Sequence, residues 1–71
     1  MEFDYRKLRG RIVEKFGTIS GFAETLGVSK QAVSRKLNNK DGFTRDKILE
    51  WSDVLEIPSE DYAAYFFTQR V

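Results

Sequence analysis

The chain has 71 residues, 41% hydrophobic and 14% aromatic, with twelve Lys/Arg against eleven Asp/Glu for a net charge of +1. That length predicts a single domain, 1–71, with a modest core. Cys and His are both absent, which excludes disulfides, zinc sites built from those ligands and the usual nucleophile–base pairs of enzymes.

The balanced total hides an asymmetry. Residues 1–40 carry nine Lys/Arg and four Asp/Glu, whereas residues 41–71 carry three and seven. A basic half beside an acidic half predicts one face that meets a polyanion and one that does not. No run of about 18 apolar residues is present to span a membrane. The start, MEFDYRKLRG, lacks the apolar stretch of a signal peptide, so a cytoplasmic protein is expected.

Five helical segments are predicted in chain order, and none of the sequence alternates long enough for a strand. The first runs from about Asp4, a candidate N-cap, to Phe16, ending at Gly17. Its core stripe is Tyr5, Leu8, Ile12 and Phe16. The second runs from Ile19 to Leu26, capped by Thr18 and ended by Gly27, with Ile19, Phe22, Ala23 and Leu26 facing inward. The third runs from Lys30 to Leu37 behind Ser29. Val28 and Val33 are spaced for a hydrophobic staple that sets the angle of entry. NNKDGF reads as a loop. The fourth helix runs from Arg45 to Leu55 behind Thr44, with Ile48, Trp51 and Leu55 inward. Pro58 then interrupts the pattern, and Ser59 caps a fifth helix from Glu60 to about Phe67. Gly10 and Gly21 fall inside helices, each costing about 1 kcal/mol relative to Ala; a close backbone approach would rationalise them.

The third helix has a distinct outer face. With Val33 and Leu37 pointing inward, Gln31, Arg35 and Asn38 fall opposite and Ser34 to the side. Lys30 can carry its amine outward on a long stem. These groups suit base edges: arginine can bond guanine O6 and N7, and glutamine adenine N6 and N7. No acidic residue lies between Gly27 and Lys40. Two helices meeting sharply at Gly27, the second with a polar reading face, form a helix-turn-helix arrangement.

Residues 18–40, TISGFAETLGVSKQAVSRKLNNK, resemble the helix-turn-helix of phage-repressor, Cro-like and XRE-type regulators. The shared pattern is Ala23, Gly27-Val28-Ser29 and Val33-Ser34-Arg35. The resemblance implies an all-α five-helix bundle that binds double-stranded operator DNA and regulates transcription by occupying it. It assigns Ser29, Lys30, Gln31, Ser34 and Arg35 to base edges. Asn38 matches a phosphate-contacting position, and Thr18, Ser20, Asn39 and Lys40 are expected to hold phosphates beside it. Ile19 departs from the pattern, where glutamine is common. Two copies are expected on a pseudo-palindrome, joined weakly through Ala63, Ala64 and Phe67 of the last helix. No metal, cofactor or small-molecule ligand is implied, and the scattered carboxylates of the acidic half read as surface rather than as an acid–base pair. The alternative reading is a helix-turn-helix fold that binds another regulatory protein through its acidic, aromatic C-terminal half.

Overall fold

Helix ends are fixed by local chemistry. In the computed structural model, which describes residues 2–70, the helices are α1 (Arg6–Phe16), α2 (Ile19–Leu26), α3 (Lys30–Leu37), α4 (Arg45–Leu55) and α5 (Tyr62–Phe66), with one 3₁₀ turn at Ser59–Asp61. Three predicted caps form. Thr18 Oγ1 accepts from Gly21 N–H at 3.0 Å, Ser29 Oγ from Ala32 N–H at 3.1 Å and Thr44 Oγ1 from Lys47 N–H at 3.2 Å. Each satisfies a donor that the first helical turn would otherwise leave free. Gly27 ends α2 with φ 75°, and its N–H bonds to the carbonyls of Ala23 and Glu24.

Two ends differ from expectation. Helix α1 begins at Arg6, with Tyr5 as its capping residue. Asp4 acts from one residue further out: its Oδ1 accepts from Arg6 N–H at 3.0 Å while the carboxylate takes the Arg6 guanidinium. The last helix is shorter than predicted. Asp61 N–H bonds Pro58 O at 2.9 Å, an i to i−3 closure that makes the first turn 3₁₀, and Ser59 makes no capping bond.

The amphipathic stripes converge on one core. Leu8, Ile12, Phe22, Ala23, Val33, Leu37, Trp51, Leu55, Ile57 and Phe66 are buried. Trp51 is gripped edge-on by Phe22 at 4.9 Å and Phe43 at 4.8 Å between ring centroids. Phe43 also meets Tyr5 at 5.5 Å and Phe66 at 5.1 Å. Such edge-to-face pairs each add about 1 kcal/mol beyond their buried area. The loop residue Phe43 is thus the hub joining α1, α4 and α5. Val28 was expected to plug the α2–α3 angle, yet it is 38% exposed.

Long-range polar contacts close the structure. Residues 2–4 lie antiparallel to 68–70, with Asp4 N–H on Thr68 O at 2.7 Å and an isolated bridge between Phe3 and Gln69. Arg11 Nε donates to Leu55 O at 2.9 Å, and Lys15 pairs with Glu56. Both cations sit at the C-terminus of α4, where the helix dipole favours positive charge. No helix among the described residues is long and apolar enough to cross a membrane.

Candidate functional site

Helix α3 turns Lys30, Gln31 and Arg35 to solvent and leaves Ser34 half-buried. The packing of Val33 and Leu37 against the core dictates this, as the wheel requires. The outward side chains are nevertheless not all available. Arg35 Nε and Nη2 hold the carboxylate of Asp41 at 2.9 and 3.2 Å, a two-bond fork. The same hydrogen bonds keep the Asp41 carboxyl below its usual range. Lys36 Nζ donates to Gly42 O at 3.0 Å and lies 5.5 Å from the Phe43 ring centre.

The residues expected at phosphates divide in a similar way. Thr18 Oγ1 caps α2, as Ser29 Oγ, expected at a base edge, caps α3; each hydroxyl keeps its own O–H donor. Asn38 Oδ1 accepts from Arg9 Nη2 at 2.7 Å. Asn39 has φ 61° and clasps the backbone of Phe3, accepting from its N–H and donating to its carbonyl, both at 2.9 Å. Ser20 and Lys40 are exposed.

A second face lies on the acidic half. Leu49 and Phe67 are 45% and 51% exposed. Together with Phe43, Ile48, Tyr62 and Arg45 they line an open groove of about 530 Å³ between α4 and α5. Leu49 and Tyr62 also wall a neighbouring depression with Ser52, Asp53, Glu56, Ile57 and Pro58, so the apolar trough continues to an acidic end. Phe67 leans edge-on against Phe3 at 6.2 Å. Of the residues expected beside it, Ala63 is exposed and Ala64 half-buried. The sequence offered Phe67, with Ala63 and Ala64, as a contact between two copies, and did not single out Leu49. Leu49 sits off the Ile48, Trp51, Leu55 stripe, and that position is the signal for it.

The two faces can be weighed against known proteins. No curated protein matches the chain. A family model described as a protein of unknown function (DUF739) matches residues 1–69. A solved structure is 44% identical, covers 100% of this chain and 96% of its own, and superposes with a TM-score of 0.84. It is the solution structure of the modulator of repression (MOR) of the temperate bacteriophage TP901-1 from Lactococcus lactis. The chain belongs to the DUF739 family. This corrects the assignment to phage-repressor, Cro-like or XRE-type regulators, which rested on a helix-turn-helix pattern that fold and capping alone can maintain. It also corrects the reading as an operator-occupying DNA-binding regulator, because the 44% identical relative is a modulator of repression.

Proposed function

With that family membership as the premise, we propose that the chain regulates repression in a phage by binding another regulatory protein, a repressor, through the α4–α5 groove. The observation that carries the reading is the full-length likeness to a modulator of repression. The surface supports it. Exposed Leu49 and Phe67 flank a trough wide enough for apolar side chains of a partner. Glu56 is already held by Lys15, so Asp53 at one end and Arg45 at the other are the charges open to a partner, and they favour one whose rim carries both signs around its apolar anchors. Such a partner buries the two exposed side chains while its rim charges meet Asp53 and Arg45.

Isothermal titration against the repressor of the same phage tests this. The unaltered protein binds. Leu49→Asp and Phe67→Lys each weaken binding by about 2 kcal/mol or more, as expected for anchors at an interface centre. Gln31→Ala leaves binding unchanged. Full affinity in both groove variants, with native circular dichroism, contradicts the assignment of the surface. Absence of binding by the unaltered protein contradicts the function.

A further inference from the structure

The Arg35–Asp41 fork offers an explanation of why a helix-turn-helix with an outward basic helix need not serve nucleic acid. Between Gly27 and Lys40 the sequence has no acidic residue; the next residue is Asp41. The loop brings it back. Lys40 N–H bonds the carbonyl of Arg35 at 2.8 Å and Asp41 N–H approaches the same oxygen at 3.4 Å. The backbone of Arg35 therefore anchors the turn that carries the carboxylate to its own side chain. Asp41 thus ends on the guanidinium of Arg35, with both side chains still partly open to solvent.

We propose that Asp41 is a specificity determinant that holds the basic face of α3 away from nucleic acid. The pair itself contributes little to stability, because both partners are this exposed; its effect is on what approaches α3. Two arrangements are open to a duplex that approaches α3. In the first, Arg35 stays with Asp41 and its fork is lost to any phosphate or guanine edge. In the second, Arg35 turns to the duplex and leaves a bare carboxylate facing the phosphates. Either way the face gives up a cation or gains an anion where counterion release should drive association. The neighbouring groups add to the effect. Lys36 is drawn back to Gly42 and Phe43, and Asn38 and Asn39 are committed to Arg9 and Phe3. This inference concerns α3 and stands apart from the reading of the α4–α5 groove.

The test is fluorescence anisotropy with a labelled random-sequence DNA duplex at low salt. Asp41→Asn binds about tenfold more tightly than the unaltered protein, and its dependence of log K on log salt is steeper by about one phosphate contact. Asp41→Ser behaves the same way, and circular dichroism shows both variants folded. Glu60→Gln removes the same charge from the exposed 3₁₀ turn and leaves affinity unchanged. Adding Arg35→Ala to Asp41→Asn cancels the gain. The proposal is overturned if folded Asp41→Asn and Asp41→Ser bind no better than the unaltered protein. It is equally overturned if Glu60→Gln gains as much, because net charge then suffices, or if the gain survives loss of Arg35.

Discussion

Asn39 shows how one side chain can take a structural duty in place of a surface one. Its left-handed backbone at φ 61° is tolerated by asparagine and disfavoured for most residues. From there its amide imitates a strand partner for Phe3 across 36 residues of sequence. Asn39→Ala loses both hydrogen bonds and the favourable backbone preference, and is expected to destabilise the fold by roughly 2 kcal/mol in urea unfolding. Asn39→Gly keeps the conformation and costs less, so the difference between the two isolates the backbone component. Asp4 carries a second residue-scale expectation. Hydrogen bonds from the Arg6 side chain and backbone lower its carboxyl from 3.8 to about 2. A lowered folded-state value stabilises fully above 3.8, and that contribution disappears as the pH falls from 3.8 toward 2. Thermal midpoints should drop across that window, and Asp4→Asn should flatten the drop.

At the scale of elements, the helices most legible in the sequence were those bounded by short polar caps. The spans Ile19–Leu26, Lys30–Leu37 and Arg45–Leu55 match their predicted limits because Thr18, Ser29 and Thr44 signal locally. The ends of α1 and α5 were less legible, since the Asp4–Arg6 contact and the 3₁₀ closure at Pro58 leave no periodic trace. Phe43 was read as loop because its partners, Tyr5, Trp51 and Phe66, come from three distant segments. The two helical glycines separate cleanly. A Cβ at Gly10 would meet nothing within 4 Å, whereas one at Gly21 would come within 3.2 Å of the Phe16 carbonyl oxygen and 3.3 Å of Thr18 Oγ1. The close approach therefore exists at Gly21 alone. Gly10→Ala should stabilise by up to about 1 kcal/mol through helix propensity. Gly21→Ala should gain less or lose, because the displaced neighbours are backbone and a helix cap; paired thermal melts decide it.

For the molecule as a whole, folding brings the basic and acidic halves of the sequence into contact, Asp41 on Arg35 and Arg11 and Lys15 at the C-terminus of α4. A basic half and a helix-turn-helix pattern pointed to DNA, and the pattern was legible because caps and stripes are local. What could not be read was the commitment of the basic face to the protein itself: Arg35 to Asp41, Lys36 to Gly42, Asn39 to Phe3. Those contacts are set by the loop after α3, which has no periodicity to read. The α4–α5 face keeps Leu49 and Phe67 open, with Leu49 beside Asp53. Whether this face meets a repressor is decided by amide chemical-shift mapping of the labelled protein titrated with the repressor of the same phage. The expected shifts centre on Ile48, Leu49, Tyr62 and Phe67, with Lys30, Gln31 and Ser34 undisturbed. Shifts centred on α3 with the groove silent, or no shifts at all, would contradict that contact.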